Sequence, residues 1–271
     1  MSTTNRIDST LRTIRTAKKK ALVAFVTAGY PDLSYTEQLV IELEQCGVDI
    51  VELGIPFSDP IADGPVIEET SHYALSHGAS IQNILQLVGR IRQRTSIPLV
   101  AMSYCNPILA FGEENFAEQA RQAGIDGLIV VDLPPEEAGS LIAASRRQAL
   151  ANIFLATPVS SSDRINTIAH ASTGFIYCVS YTGVTGRQTG SDEQLRSLVK
   201  TIRASSSTPI LVGFGITTPD DVARVCQFAD GAIVGSAILR EIMATHEQGK
   251  QDSIRLVGQL ASRLRQGADS S

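Results

Sequence analysis

Short runs of β-branched and other apolar residues alternate with amphipathic stretches along the whole chain. The runs predict eight strands, at 21–27, 50–53, 99–103, 128–131, 153–156, 175–179, 210–212 and 232–234. Between them, apolar residues recur at helical spacing, as in Ile84, Leu87, Val88 and Ile91, a pattern typical of helices buried on one face. Regular alternation of strand and helix predicts βαβ units and a parallel sheet.

A weak internal repeat supports this division. The segments 47–51, 124–128 and 228–232 each combine a helix end, an aspartate and the start of a strand. Eight βα units fit either a closed barrel or a long doubly wound sheet. The turn at 28–31, after the first strand, lacks the glycine fingerprint with which doubly wound folds hold a pyrophosphate. We therefore predict an α/β protein with a (β/α)8 TIM barrel.

The ends of the chain are predicted to be helical. No linker rich in proline, glycine or serine divides the sequence, so we expect a single domain over 1–271, with the barrel at 21–240 and a helical tail at 241–271. Within 1–20, Ile7, Leu11 and Ile14 form an apolar stripe that predicts an extra N-terminal helix packed on the barrel. The alternative for this basic, Ser- and Thr-containing segment is a short organellar transit peptide.

Composition and charge exclude several classes of protein. With 43% hydrophobic and 19% charged residues, the chain has the material for a large core and too little charge for disorder. Its 23 basic and 28 acidic residues give a net charge of −5, without the basic stripe of a nucleic-acid surface. Four widely spaced cysteines and the lack of a long apolar run predict a cytoplasmic protein, with the plastid stroma as the alternative.

The segment 51–64, which leaves the second predicted strand, is the densest group of candidate catalytic residues. Strand alternation points Glu52 into the barrel, where burial would raise its pKa and suit it to general acid or base catalysis. The alternative is a Glu52 paired with a loop arginine or with backbone amides. Asp63 is a second candidate, or else the N-cap of a helix that begins at Pro65. Asp59 is by default a turn residue.

A segment of small polar residues follows the sixth predicted strand. Residues 180–191 are rich in Gly, Ser and Thr and include Thr185 and Gly186. Such a length of small residues is typical of a lid whose amides and hydroxyls close over a ligand. A plain surface loop is the alternative.

Two glycine-containing turns follow the last two predicted strands. Gly213 and Gly215 come after the seventh strand, and Gly235 and Ser236 come after the eighth. Each turn opens a helix and exposes backbone amides. Because barrels commonly hold a phosphate at this place with helix N-terminal amides, the pair of turns predicts a phosphate site.

The residue types that are missing from the strand ends exclude some reaction mechanisms. The sequence has five lysines, none of them at the end of a strand, namely Lys18, Lys19, Lys20, Lys200 and Lys250. Schiff-base aldolase chemistry therefore lacks its amine. The four histidines lie in helical stretches without the carboxylate spacing of a metal site. Carboxylate acid–base chemistry on a phosphorylated substrate is what we predict.

Several motifs resemble one family across essentially the whole chain, the α subunit of tryptophan synthase. They are ELGIPFSDP at 52–60 with ADGP at 62–65, GVTG at 183–186, FVTAGYP at 25–31, VDLP at 131–134 and GFGI at 213–216. The resemblance implies retro-aldol cleavage of indole-3-glycerol phosphate to indole and glyceraldehyde 3-phosphate. It implies that Glu52 is the acid–base residue and that Asp63 holds the indole N–H.

The resemblance also implies the rest of the substrate site. Phe25 and Tyr177 would contact the substrate beside the two carboxylates, and the lid and phosphate site would contain Thr185, Gly186, Gly213, Gly215, Gly235 and Ser236. It implies a tryptophan synthase β subunit as partner, in an alpha2beta2 tetramer. No cofactor is expected in this chain, and pyridoxal phosphate is expected only in the β partner. A stand-alone indole-glycerol-phosphate lyase and a catalytically silent binding barrel remain alternatives.

Overall fold

The computed structural model describes residues 5–179, 192–213 and 215–270. Within these ranges the chain forms nine strands: β1 (Ala21–Thr27), β2 (Ile50–Gly54), β3 (Leu99–Ser103), β4 (Gly127–Val130), β5 (Ala151–Ile153), β6 (Leu155–Ala156), β7 (Ile176–Val179), β8 (Ile210–Gly213) and β9 (Gly231–Val234). The helices are α1 (Arg6–Thr16), α2 (Leu33–Gln45), α3 (Pro65–Ser76), α4 (Ile81–Arg92), α5 (Cys105–Phe111), α6 (Glu113–Ala123), α7 (Gly139–Arg147), α8 (Ser162–Ala171), α9 (Asp192–Ser205), α10 (Pro219–Cys226), α11 (Ser236–Thr245) and α12 (Lys250–Asp269). A 3-10 helix, His246–Gln248, joins the last two.

The strands form one parallel sheet that curls into a barrel. The strand order is β5-β4-β3-β2-β1-β9-β8-β7-β6, so β1 pairs with both β2 and β9, and the two outermost strands are neighbours along the chain. A doubly wound sheet would instead reverse its strand order at a switch point. The predicted (β/α)8 barrel with an N-terminal helix is confirmed.

The sequence predicts a single strand, the fifth, at 153–156, but the structure has two short strands in this region. The chain is extended from Ala151, and Phe154 separates β5, which pairs with β4, from β6, which pairs with β7. The carbonyl of Phe154 accepts a hydrogen bond from the Tyr177 amide at 3.1 Å. Each of the two short strands therefore pairs with a different neighbouring strand, and the bend at Phe154 connects the two edges of the sheet. The fourth strand begins and ends one residue earlier than predicted, because Val131 already lies in the following turn.

The repeated aspartate has one structural role at three places. Each carboxylate accepts a backbone amide near the start of a neighbouring strand, at 2.8 to 3.0 Å, in the pairs Asp49 with Leu22, Asp126 with Leu99 and Asp230 with Ile210. Each also pairs with an arginine at 2.8 or 2.9 Å, namely Arg265, Arg92 and Arg203. These contacts link strand starts to the surrounding helices at the N-terminal end of the barrel.

Helix α1 packs against this same end, as its apolar stripe predicts. Ile7 and Leu11 are buried, and Ile14 is half-buried against the core. The Arg6 guanidinium pairs with Asp126 at 2.8 Å, and the Asn5 side chain donates to the Asp126 carbonyl at 2.7 Å. The contacts leave the opposite end of the barrel, where the strands end, free for a binding site.

The barrel strands are buried almost throughout, and apolar side chains from the helices complete the core. Over the residues that the structure describes, we find no helix with the length and apolar character needed to cross a membrane.

Candidate active site

A cavity of about 180 Å³ opens at the C-terminal ends of the strands. Six of the residues predicted from the sequence line it: Phe25, Asp63, Tyr177, Gly215, Gly235 and Ser236. They come from five different strands and the loops after them, which is the usual construction of a barrel active site. The fold thus brings together residues that are up to 211 positions apart in the sequence, from Phe25 to Ser236.

Glu52 lies on the inward face of β2 and does not itself line this cavity. In the barrel register it pairs with Phe25, whose side chain lines the cavity, so both side chains lie on the inner face. Glu52 is completely buried, and neither of its carboxylate oxygens has a hydrogen-bond partner among the described residues. Within the described residues, the alternative that Glu52 pairs with a loop arginine or with backbone amides is therefore not supported. Burial raises the pKa of Glu52 to about 8.

Asp63 lies at the end of the loop that follows β2, directly before α3. That helix begins at Pro65 as predicted, but Gly64 is its N-cap residue, so the alternative capping role for Asp63 is wrong. The carboxylate is 5% exposed, and its Oδ1 has no partner in the described part of the chain. Burial raises its pKa to about 6, against the lowering effect of a hydrogen bond from the Tyr104 hydroxyl. That hydroxyl also accepts the Ala62 amide at 3.0 Å, which holds the loop in place.

Tyr177 projects from β7 beside the two carboxyls. Burial, followed by the nearby charges of Glu52 and Asp63, raises the pKa of its phenol well above the usual value. The phenol lies directly over the Cα of Gly213, where a Cβ would collide with the hydroxyl and the ring. Gly213 does not itself line the cavity; it leaves room for Tyr177.

The turns after β8 and β9 form the opposite wall. Gly215 has φ +71°, a left-handed conformation that favours glycine. Gly235 is the N-cap residue of α11 and Ser236 its first residue, so the free amides of this helix end meet the cavity. A Cβ at Gly235 would come within 3.3 Å of the Phe25 Cβ, which makes this wall close-packed.

The predicted lid lies outside the described residues. Thr185, Gly186 and the rest of 180–191 are therefore not placed here, and neither is the residue at 214, between Gly213 and Gly215.

Three further residues of the site were not predicted. Met102 and Arg240 line the cavity, and Tyr104 contacts Asp63. Strand alternation could have identified Met102, since its register partner Gly54 lies two residues beyond Glu52 on the same face of β2. Arg240 lies one helical turn after Ser236, but its position on α11 becomes meaningful only once Ser236 is known to face the cavity.

The arrangement combines two carboxyls of different protonation state. Near pH 7, a pKa of about 8 keeps Glu52 mostly protonated, and a pKa of about 6 leaves Asp63 mostly ionised. Such a pair can donate a proton and stabilise a positive charge within one site. Among the described residues, we find no group of His, Cys, Asp and Glu that could hold a metal ion.

Comparison with known proteins gives a consistent result. The sequence profile of "Tryptophan synthase alpha chain" matches residues 11–268. A curated tryptophan synthase alpha chain from Geobacter sp. (strain M21) is 47% identical over 263 residues, covering 97% of each chain. One from Legionella pneumophila (strain Lens) is 42% identical over 267 residues, covering 98% of each.

Solved structures agree with the sequence comparison. The crystal structure of tryptophan synthase subunit alpha from Legionella pneumophila str. Paris has a TM-score of 0.91 at 38% identity, covering 99% of this chain and 100% of that one. A chain in the structure of tryptophan synthase from M. tuberculosis, open form with BRD0059 bound, has a TM-score of 0.88 at 31% identity, covering 98% and 100%. This chain therefore belongs to the tryptophan synthase alpha chain family.

Proposed function

We propose that Glu52 and Asp63 carry out the reaction of this chain. As a member of its family, the chain is a lyase that cleaves indole-3-glycerol phosphate to indole and glyceraldehyde 3-phosphate in tryptophan biosynthesis. The observation that carries the assignment is a pair of buried carboxyls beside Tyr177, with pKa values raised to about 8 for Glu52 and about 6 for Asp63; Asp63 lines the cavity, and Glu52 lies next to the cavity residue Phe25 in the barrel register.

Asp63 and the apolar side chains around it suit an indole ring. Phe25, Met102 and Tyr177 line the main cavity, and a smaller cavity of about 20 Å³ continues between Asp63 and Leu155. An indole in this space would place its N–H toward the Asp63 carboxylate. The buried Oδ1 of Asp63, which lacks a partner among the described residues, is the acceptor for it.

The reaction then needs one proton donor that later becomes an acceptor. Protonated Glu52 gives its proton to indole C3, which creates a cationic indolenine that ionised Asp63 stabilises. The bond between C3 and the first glycerol carbon breaks, and its electron pair returns to the ring. The hydroxyl on that carbon loses its proton to the Glu52 carboxylate and becomes the aldehyde. Atoms and charge balance, and the reaction requires no added reactant.

The glycine turns suit the phosphate end of the substrate. Gly215, Gly235 and Ser236 offer backbone amides and a hydroxyl at the start of α11, and Arg240 adds a positive charge on the same side of the cavity. We assign Thr185 and Gly186 to a lid over this end on the basis of the sequence motif alone.

We further propose a tryptophan synthase β subunit as partner, in a tetramer of two alpha and two beta chains. The similarity to chains in whole tryptophan synthase structures supports this, as does the loop with Asp59 and Pro60, in which Ile61 is 78% exposed. Because this loop continues into Asp63, contacts that hold it would also hold the Asp63 carboxylate. Pyridoxal phosphate would belong to the β chain. The bacterial curated relatives support the cytoplasm as the location.

The test is indole release from indole-3-glycerol phosphate, measured with the purified chain alone and with an added β subunit. We expect slow release alone and faster release in the complex, since a partner that favours the ordered site raises turnover. Pro60→Ala should reduce this activation more than it reduces the basal rate. If the β subunit changes neither turnover nor sedimentation, the chain is the stand-alone lyase. If no indole forms under either condition, the proposed function fails.

A further inference from the structure

The N-terminal end of the barrel, opposite the candidate active site, has a second concave surface. A cavity of about 300 Å³ opens there beside α1 and the residues that precede β1, β8 and β9. Among the described residues that line it, Asp230 is the one carboxylate, against five cations: Arg15, Lys18, Lys19, Lys20 and Arg203. We call this cavity the basal groove.

Two of these cations are held by groups of the fold. Arg203 pairs with Asp230 at 2.9 Å, and the Lys20 ammonium donates to the Ala229 carbonyl at 2.7 Å. The side chains of the other three have no hydrogen bond or ion pair within the described part of the chain. The basal groove therefore has a surplus of positive charge in a protein whose net charge is −5.

The backbone holds two of the free cations at the groove. Lys18 follows α1 with φ +55°, a left-handed conformation in which glycine is usual. Its amide donates to the Arg15 carbonyl at 3.1 Å, and the Lys19 amide donates to the Ile14 carbonyl at 3.0 Å, as in a Schellman turn. Arg15 already lies in the last turn of α1, where one cation complements the helix dipole. The lysines that follow exceed that need.

The same groove also has an apolar wall. Leu11, Ile14 and Pro209 line it together with the cations. An adjoining cavity of about 200 Å³ shares Leu11, Arg15, Ser207 and Pro209 with the basal groove. It adds Asp8, Arg12, Gly174 and Thr208, so one further carboxylate is matched by one further cation. A ligand that fills both spaces needs an anionic end and an apolar body with some hydrogen-bonding groups.

We propose that the basal groove binds an organic polyphosphate of nucleotide size. Three cations without partners among the described residues favour a ligand with several negative charges over a monocarboxylate, because each added charge strengthens the attraction. The phosphates would lie against Arg15, Lys18 and Lys19, and the flat apolar body would pack on Leu11 and Ile14. The site is separate from the reaction at the other end of the barrel.

Isothermal titration calorimetry with ATP as the probe tests this proposal. We expect ATP to bind the wild-type chain in the micromolar range and to bind K18E/K19E at least tenfold more weakly. The matched control is R146E/R164E, which makes the same change in charge at exposed positions of α7 and α8 outside the groove; it should retain wild-type affinity within about twofold. Saturating glyceraldehyde 3-phosphate keeps ATP out of the phosphate site at the other end.

Two further probes separate charge from shape. Inorganic pyrophosphate should bind more weakly than ATP and adenosine should bind weakest, since each lacks one half of the ligand. Equal affinity for pyrophosphate and ATP would contradict the role of the apolar wall. Absence of ATP binding at 1 mM, or equal weakening in K18E/K19E and R146E/R164E, would overturn the site. Both variants should release indole at the wild-type rate, which verifies that they are folded.

Discussion

The buried carboxyl of Glu52 is kept neutral near pH 7 by holding its proton, since no neighbouring cation offsets its charge among the described residues. Its side chain is fully buried on β2, and the described residues supply neither a cation nor a hydrogen-bond donor for its oxygens. Asp63 differs because the Tyr104 hydroxyl donates to it and favours its charged form. The two carboxyls therefore hold different charges at the same pH, which is what an acid and an electrostatic stabiliser require.

The pH profile of kcat/KM for cleavage should be bell-shaped. As pH rises through about 6, Asp63 ionises and kcat/KM should increase; as pH rises through about 8, Glu52 loses its proton and kcat/KM should fall. Steady-state kinetics between pH 5 and 9.5 measure both limbs. Asp63→Asn should be slower and should lack the acidic limb. An unchanged acidic limb in that variant would assign it to another group.

The stability of the fold should also depend on Glu52. Its pKa is about 8 in the folded chain against an ordinary 4.5, so between these values the folded state binds more protons than the unfolded state. The free energy of unfolding therefore falls as pH rises through this window, by up to about 1.4 kcal/mol per unit. Measured by urea denaturation at pH 8, the free energy of unfolding of Glu52→Gln should be more than about 2 kcal/mol higher than that of the wild type. The difference should be under about 1 kcal/mol at pH 5. Equal differences at both pH values would contradict the raised pKa.

At this scale, the sequence predicts some site residues and not others. Alternation along one strand suffices for Glu52, because the period of a strand is local. Tyr104 is different: its contact with Asp63 joins the end of β3 to the loop after β2, and no periodicity within either segment encodes it. The capping alternative for Asp63 could be decided only by the backbone, which makes Gly64 the N-cap.

At the scale of elements, the aspartates before the strands connect the barrel to its helices. Asp126 is fully buried and binds the Leu99 amide together with Arg92 and Arg6. Asp126→Asn removes the charge that these guanidinium groups face, and we expect the free energy of unfolding to fall by about 3 kcal/mol. Denaturant titration measures the loss.

The control is an ion pair of similar length on the surface. Glu114 lies 2.6 Å from Arg147, but its side chain is 79% exposed. Glu114→Gln should therefore change the free energy of unfolding by less than about 1 kcal/mol. Equal losses in the two variants would mean that burial does not strengthen the Asp126 contacts.

The three aspartate corners show what a local repeat can predict. The repeat indicates where helices end and strands begin, because the same residue types recur in the same order. It does not indicate that each carboxylate bonds to the amide of a neighbouring strand, since that strand lies 20 to 27 residues earlier in the chain. The bend at Phe154 was missed for the same reason: it depends on which neighbour each half of the segment pairs with.

At the scale of the whole molecule, the barrel separates two kinds of surface. The C-terminal ends of the strands hold the carboxyls and the glycine turns, and the N-terminal end holds α1, the aspartate corners and the basal groove. Strand and helix alternation, together with the missing glycine fingerprint after the first strand, is enough to predict the barrel, whereas the basal groove could not be predicted. Its cations come from α1, the turn after it and α9, which only the closed fold brings together.

The most direct test of the account is indole release by Glu52→Gln, compared with the wild-type chain at pH 7. Glutamine keeps the shape of the side chain but cannot exchange the proton, so we predict a fall in kcat of about 100- to 10,000-fold. The affinity for glyceraldehyde 3-phosphate should stay within about twofold, because the glycine turns proposed to hold the phosphate line the cavity and Glu52 does not. Retention of more than about half of the wild-type rate would contradict the assignment of Glu52 as the acid–base residue.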